Sequence, residues 1–296
     1  MTQSFSIEGR FIKLRASIPS LSSETDLSLP FDFTDPHPVH YQLQTLSLQH
    51  ELPEEQIITQ VDLNHYIGQS ISIEYLGKIS CIYCGRKTKK PYGDGLCYPC
   101  FMEQPTAAEC IIRPALCRAH LGEGRDPLWE KEHHLQPHYV YLVLSSKYKV
   151  GVTRDWPTRW LDQGADEVKV IAKTPYRQLA GIIELELSQY YSDKLAWQSM
   201  LKGLILPHGN LETEAIRIVD LLPPDLRQYC TPHSGILKLH YPKVDTPKKV
   251  KSQKLDKVGS ISGTLLGIKG QYLIFDEDRV INIRRHSGFH ARICID

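Results

Sequence analysis

The stretch YVYLVLSSKYKVGVTRDWPTRWLDQGA, residues 139–165, decides the fold of the central part of the chain. Its first six residues alternate as a β-strand does, SSK makes a turn, and YKVGVT returns as the antiparallel partner. Gly151 lies inside the second strand, where a glycine commonly marks a bulge or the close approach of a backbone or ligand. Pro157 suits the first turn of a helix that follows. Arg159 then projects beside the glycine-bearing strand, where it either clamps a phosphate or only solvates the helix surface.

The composition is that of a folded protein with more than one structural unit. At 296 residues, with 41% hydrophobic and 23% charged residues, the chain exceeds the ~100–200 residues of a single domain. The net charge of +1 gives no global nucleic-acid signature, so a polyanion must contact a local patch. Apolar runs are far shorter than the ~20 residues of a membrane span, and the N-terminus lacks a signal-peptide core. We expect a cytoplasmic protein without membrane contact.

Changes in pattern along the chain predict five segments. The clearest helix is RQLAGIIELELSQYYSDKLAWQSMLKG, residues 177–203. The segments are a β-rich N-terminal region (1–78), a zinc-binding region (79–138), a central domain (139–242), a Lys-rich linker (243–258) and a C-terminal β unit (259–296).

Four cysteines form a pair of Cys-x2-Cys motifs separated by twelve residues. Each motif can aim two thiolates at one tetrahedral ion, as structural Zn²⁺ prefers. Four cysteine ligands saturate the ion and leave no open position for a substrate. The sequence therefore predicts a structural or recognitional zinc site formed by Cys81, Cys84, Cys97 and Cys100.

A second group of metal-ligand residues follows this site. Cys110, Cys117, His120 and His134 are of the types that bind Zn²⁺ and would complete a second tetrahedral set, although their spacing is not a standard one. The alternative is that the two cysteines are small buried apolar residues and the histidines are exposed. The sequence thus predicts one or two structural zinc ions.

The hairpin resembles the GIY-YIG nuclease superfamily, in particular its phage-type branch. That superfamily carries two tripeptides on adjacent strands, then a helix with an Arg and a later helix with a Glu. Here Tyr139-Val140-Tyr141 resembles the first tripeptide and Lys149-Val150-Gly151 the second, and Arg159 is similar to the Arg. The resemblance implies an α+β fold, in which a small antiparallel sheet flanked by helices is joined to a four-cysteine zinc ribbon and to β-rich N- and C-terminal segments.

Two glutamates of AGIIELEL compete for the position of the superfamily's Glu. Glu184 follows two isoleucines and has a Leu three positions on, as in the superfamily. On a helical wheel at ~100° per residue, Glu186 lies inside the apolar stripe and Glu184 lies on its flank. A carboxylate in an apolar stripe needs a partner, and a metal ion would be one. We prefer Glu184, because a catalytic ligand must reach the rim of a cleft, and keep Glu186 as the second candidate.

The resemblance implies phosphodiester hydrolysis with one Mg²⁺ or Mn²⁺ ion. Tyr141 would assist deprotonation of the attacking water, Arg159 would stabilise the phosphorane charge, and the Glu would hold the metal. Lys149 replaces the Tyr of the second tripeptide, with Tyr148 beside it as a substitute. More of the chain, from the Cys-x2-Cys pair to GIKGQYLIF, resembles an uncharacterised bacterial and archaeal family that joins these modules.

These observations lead to two main hypotheses. The first is a zinc-containing, metal-dependent endonuclease acting on DNA or RNA. The second is a non-catalytic nucleic-acid-binding or ribonucleoprotein-associated module that only grips the phosphate backbone. A protein-interaction scaffold is a third hypothesis. We expect no small-molecule cofactor.

Overall fold

The computed structural model describes residues 5–21, 26, 28, 35–48, 57–154, 156–191 and 196–295. Strands occur on both sides of a helical central part. In chain order they are β1 (Phe5–Ser17), β2 (His37–Pro38), β3 (His40–Leu46), β4 (Ile58–Asp62), β5 (Ser70–Ile79), β6 (His138–Leu144), β7 (Tyr148–Thr153), β8 (Glu167–Thr174), β9 (Ile236–His240), β10 (Lys251–Gln253), β11 (Ser260–Lys269), β12 (Tyr272–Phe275), β13 (Arg279–Asn282) and β14 (Phe289–Ile295).

The helices are short. They are α1 (Tyr98–Glu103), α2 (Glu109–Ile112), α3 (Pro127–His134), α4 (Thr158–Gln163), α5 (Arg177–Leu187), α6 (Trp197–Leu201), α7 (Leu211–Leu221), α8 (Pro224–Arg227) and α9 (Leu255–Val258). Among the described residues, no helix is long and apolar enough to cross a membrane.

The chain divides into two compact units. The first comprises Met1–Ile18, Val39–Met102 and Tyr241–Asp296, and the second comprises Pro19–Pro38 and Glu103–His240. The predicted zinc-binding region is therefore divided after Met102, so that the Cys-x2-Cys pair belongs to the first unit and the second cysteine group to the second.

The first unit is built on one large sheet. Its strand order, as described, is β10-β13-β12-β11-β5-β14-β1-β3-β4. Alternation along β5 buries Ile71 and Ile73 on one face, while Glu74 points to the other. On that other face Arg292 of β14 donates to Glu8 and to Glu74 on the two neighbouring strands, at 2.7 Å in each case. Such cross-strand pairs fix the register of the sheet.

The Lys-rich segment takes part in this first unit. Its strand β10 pairs in parallel with β13, and Leu255 of α9 is fully buried. The backbone N–H of Leu255 donates to Nε2 of the buried His286, at 3.1 Å. The segment predicted as a linker is thus part of the folded unit. Its strand pairs with β13, and the apolar Leu255 between its lysines is buried in the core.

The second unit contains the predicted hairpin. Strands β6 and β7 pair antiparallel, with Tyr141 opposite Gly151 and Leu144 opposite Tyr148. The strand order in the described sheet is β2-β9-β8-β6-β7, and β2 runs parallel to β9. The α+β class is confirmed, but the sheets are larger than the small antiparallel sheet that the sequence predicted.

Helices α5 and α7 cover one face of the second unit's sheet. The predicted helix over 177–203 ends at Leu187, where Ser188 caps it and its hydroxyl donates to the Leu185 carbonyl, at 2.6 Å. The buried core residues that the two helices and the hairpin share are Val140, Leu142, Leu144, Val150, Val152, Leu179, Ile183, Leu187, Leu211, Ala215 and Ile218. This packing fixes α5, and with it Glu184, against the hairpin.

Candidate functional site

Tyr141 is the centre of a polar contact group on the hairpin. Its side chain is fully buried, and a Cβ built on Gly151 would lie 2.5 Å from its hydroxyl oxygen. Gly151 is therefore needed because the phenol rests on its backbone. The hydroxyl donates to Oε1 of Gln163 at 3.4 Å, and the Arg159 guanidinium lies close enough to lower the pKa of the phenol. Helix α4 carries both of these partners, so it holds them against the strand.

Two charges act on the Tyr141 phenol. Burial raises its pKa to about 12, Arg159 lowers it, and the Glu184 carboxylate raises it. The hydroxyl therefore keeps its proton at neutral pH. The same two charges act on Arg177, whose pKa burial lowers, with Arg159 lowering it further and Glu184 opposing that effect. Arg159 and Glu184 thus each lie within electrostatic reach of Tyr141 and of Arg177.

Glu184 lines a cleft of about 630 Å³ beside helix α5. The cleft lies between α5 and the segment that follows Cys110. A Cβ on Gly181 would overlap the backbone of Ala115 and lie 2.7 Å from Pro114 Cβ, so the two walls are in close contact at its base. The lining residues are Ile112, Arg113, Pro114, Ala115, Leu116, Gly181, Glu184, Leu185, Ser188 and Tyr191. Glu184 is half-buried in this wall.

The structure does not bring every predicted site residue to Tyr141. Lys149 lies on the same face of β7 as Gly151, which makes it a diagonal neighbour of Tyr141. Tyr148 lies on the opposite face, where its hydroxyl accepts from the Asn210 backbone N–H at 2.6 Å. Glu186 accepts from Gln189 Nε2 at 3.4 Å and is absent from the cleft lining among the described residues.

The first cysteine cluster has the geometry expected of a metal site. The sulfur atoms of Cys81, Cys84, Cys97 and Cys100 all lie within 4.8 Å of one another. Burial raises the pKa of Cys81, but backbone N–H groups that donate to its sulfur outweigh burial and lower it below the ordinary value. Backbone N–H donors around a thiolate favour the deprotonated form that binds a metal ion. The cluster is compatible with a structural zinc site.

Local turns of the first unit hold this cluster in place. Gly95 has a φ of 97°, which favours glycine, and a Cβ there would lie 2.7 Å from Ser287 Cβ. Nearby, Arg284 donates to both oxygens of Asp94, at 2.8 and 2.5 Å. The cysteine turns are thus tied to the segment between β13 and β14 of the same unit.

The second cluster differs from the prediction in one residue. Ligand atoms of Cys110, Cys117, Glu130 and His134 lie within 4.8 Å of one another, and all four residues are buried. The hydrogen bond from Cys110 lowers the pKa of Cys117 to about 4, and the same bond raises the pKa of Cys110. Glu130 therefore takes the place that the sequence had given to His120.

His120 lies elsewhere in the second unit. Its ring stacks on Tyr176, with centroids 5.3 Å apart and an interplanar angle of 14°. Its Nδ1 is buried and has no hydrogen-bond partner among the described residues. His120 lies on the short 3-10 turn Ala119–Leu121 and is not part of the group of ligand atoms that contains Cys117.

Sequence reasoning missed three residues of these sites. Gln163 contacts Tyr141, and Arg177 donates to the Cys110 carbonyl at 3.0 Å and to the Ile111 carbonyl at 2.9 Å. Only Glu130 had a usable signal, because it precedes His134 by four residues, a spacing that puts two side chains on one face wherever the chain is helical.

A family model described as a protein of unknown function, DUF2797, matches residues 68–291. No curated protein and no solved structure matches the chain. The matched range contains both cysteine clusters, the hairpin and the cleft, so these features lie within the part of the chain that defines the family. Because the match covers well over half of the sequence, the chain belongs to the DUF2797 family of proteins of unknown function.

Proposed function

We propose that the protein processes nucleic acid, as a zinc-containing phosphodiester endonuclease whose site lies in the second unit. The observation that carries the proposal is that the Arg159 guanidinium and the Glu184 carboxylate both act electrostatically on the buried Tyr141, while Glu184 also lines a cleft. The resemblance of the hairpin to GIY-YIG nucleases supports it further. DNA or RNA is the proposed partner, because an exposed guanidinium and a cleft carboxylate suit a phosphodiester with its metal ion.

Each residue has a distinct part in this reaction. Arg159 is exposed and contacts the phosphate, where it stabilises the charge that builds up on the phosphoryl oxygens. Tyr141 is a positioning residue, since its buried, protonated phenol holds the guanidinium in place. This differs from the expectation that Tyr141 itself assists deprotonation of water. Lys149, on the same face of the hairpin, adds positive charge beside the site.

Glu184 is the residue that would hold Mg²⁺ or Mn²⁺. Mg²⁺ commonly uses one or two protein carboxylates and keeps several waters, so a single half-buried carboxylate in a wide cleft fits it. The ion supplies Lewis acidity, which activates water and neutralises phosphate charge. The cysteine cluster around Cys81 holds a structural Zn²⁺ that stabilises the first unit and takes no part in the reaction.

A second candidate function is nucleic-acid binding without cleavage. It is favoured by the complete burial of Tyr141, which leaves its hydroxyl no access to an attacking water. In that case Arg159 still contacts phosphate, but Glu184 has no catalytic metal to hold. Both candidates require that affinity for nucleic acid fall steeply with salt, because phosphate contacts release counterions.

The experiment combines gel-shift titration with a cleavage assay. Single- and double-stranded DNA and RNA are incubated with Mg²⁺ or Mn²⁺. We expect Arg159→Ala to lower the cleavage rate about 10²- to 10³-fold, as loss of a transition-state donor does. The affinity should fall less, because the guanidinium contacts phosphate more strongly as charge develops. Tyr141→Phe should lower kcat with KM unchanged, since it removes the hydroxyl that bonds Gln163 and lies beside Arg159 but leaves the guanidinium free to bind phosphate.

Arg217→Ala is the matched control, because Arg217 is exposed, lies on α7 and not on α4, and is paired with Glu214 of its own helix. Its rate and affinity should equal those of the wild type. Absence of cleavage by the wild type, together with salt-sensitive binding that Arg159→Ala weakens, leaves the second candidate. If no nucleic acid is retained even at low salt, both candidates are wrong and the scaffold hypothesis remains.

A further inference from the structure

The second cluster has features of a closed metal site. Cys110, Cys117, Glu130 and His134 are between 1% and 8% exposed. Nδ1 of His134 lies 3.4 Å from Cys117 Sγ and 3.7 Å from Glu130 Oε2. One imidazole nitrogen, one carboxylate oxygen and two sulfurs thus face a common point. These are the donor types that Zn²⁺ takes in structural sites.

The local backbone holds these donors in place. Asp126 caps α3 by accepting from the Trp129 N–H at 3.0 Å, and this start of the helix puts Glu130 and His134 one turn apart on one face. The second carboxylate oxygen of Glu130 accepts from the Arg125 N–H at 2.9 Å. Outer hydrogen bonds of this kind orient ligands around a metal.

The chain also leaves room for this carboxylate. A Cβ on Gly124 would overlap the Glu130 carboxyl group, so a larger residue there would displace the carboxylate from its position. Burying an ionised carboxylate or thiolate away from water is costly unless a partner of opposite sign accompanies it. A divalent cation bound by all four residues removes this penalty.

We propose that Cys110, Cys117, Glu130 and His134 bind a second structural Zn²⁺ in the second unit. The site uses Glu130 and does not use His120. It is saturated by its four protein donors, so it binds no substrate.

This zinc ion also braces one wall of the cleft. The lining residues Ile112–Leu116 lie between the ligands Cys110 and Cys117, and Arg177 at the start of α5 donates to the Cys110 carbonyl. The metal therefore fixes both ends of the wall that faces Glu184. This holds whether or not the cleft cleaves nucleic acid.

The test measures the metal content of the full-length protein purified with zinc present. We expect about two equivalents of zinc per chain in the wild type and about one in Glu130→Gln, His134→Asn and Cys117→Ser, because each variant loses one of four ligands. His120→Gln should keep both equivalents. Matched controls are Glu132→Gln on the exposed side of α3 and Cys230→Ser, which lies outside both clusters.

Two measurements on the wild type keep the test decisive if a variant fails to fold. Zinc X-ray absorption should show sulfur together with nitrogen or oxygen ligands, whereas the first cluster alone would give sulfur only. Hydrogen exchange at residues 109–121 should accelerate when a chelator removes the zinc ion of the second cluster. One equivalent of zinc with sulfur ligands alone would overturn the proposal. If His120→Gln loses one equivalent of zinc and Glu130→Gln keeps both, the proposed set of four ligands is wrong.

Discussion

Gly181→Ala tests whether the cleft wall and helix α5 are in backbone contact. In a helix interior this change normally stabilises by about 1 kcal/mol, because alanine is the better helix former. At Gly181 the new Cβ would overlap the backbone of Pro114 and Ala115. Overpacking costs about 1–3 kcal/mol, and the overlapped backbone atoms cannot move aside as a flexible side chain can. We expect an overpacking cost of about 3 kcal/mol, offset by the gain of about 1 kcal/mol in helix propensity. The free energy of unfolding should therefore fall by about 2 kcal/mol.

The assay is urea unfolding of the full-length protein, combined with hydrogen exchange at residues 112–116. Exchange there should accelerate, because the wall must move away from α5. Gln178→Ala on the same helix is the control, and it should change the free energy of unfolding by less than about 0.5 kcal/mol. A Gly181→Ala protein that is more stable than the wild type, with unchanged exchange at the wall, would refute the contact.

Three further predictions concern the hairpin, a buried histidine and the first zinc site. Gly151→Ala should lower the free energy of unfolding in urea by about 1–3 kcal/mol, although glycine-to-alanine changes in strands usually raise it, because the new Cβ meets the Tyr141 hydroxyl. The loss should be smaller in a Tyr141→Phe background, where that hydroxyl is absent. An unchanged or increased free energy of unfolding would contradict the contact between Gly151 and Tyr141. Burial lowers the pKa of His286 below 6.5, so the stability from its neutral form is present above pH 6.5 and is lost as the pH falls through the lowered value. His286→Gln should therefore flatten the pH dependence of the unfolding free energy below pH 6.5, and an unaltered slope would argue against this role. Cys97→Ser should lose one zinc by elemental analysis and lower the melting temperature severely, because structural zinc contributes folding free energy directly, whereas Cys294→Ser should retain it.

Local sequence patterns predict the parts of the fold that depend on neighbours in the chain. The alternation in residues 139–153 predicts the hairpin, and the Cys-x2-Cys spacing predicts the first cluster, since each forms within one short continuous stretch of the chain. The opposite orientation of Tyr148 was also predictable, because it lies three residues from Gly151 and strand faces alternate with period two. The resemblance to a family motif had suggested Tyr148 as a substitute for the missing Tyr, but Tyr148 lies on the opposite face of the strand from Gly151.

Pairings between distant parts of the chain have no such local signal. Strand β1 pairs with β14, so that Glu8 lies opposite Arg292 at the other end of the sequence. No periodicity within either strand selects this partner. The burial of Leu255 among lysines depends equally on strands that precede and follow it. These contacts are determined by the packed unit as a whole.

The second cluster shows the same division. The ligand types were predictable, but the choice between Glu130 and His120 depends on where α3 packs relative to the turn Ala119–Leu121. Tyr141 was likewise identified by its strand, whereas its burial under Trp160, with ring centroids 5.7 Å apart, follows from the position of α4. That burial is the reason for proposing that Tyr141 positions Arg159 and does not act on water.

The most direct test of the central claim compares the two glutamates of α5. Phosphodiester cleavage by the full-length protein is measured with Mg²⁺ or Mn²⁺ on the substrate that the wild type cuts best. Glu184→Gln should lower the rate about 10²-fold or more with affinity nearly unchanged, because the cleft loses the carboxylate that holds the ion. Glu186→Gln, outside the cleft lining, should cleave at the wild-type rate. Equal rates for Glu184→Gln and the wild type, or loss in Glu186→Gln alone, would contradict the assignment of this cleft as the site.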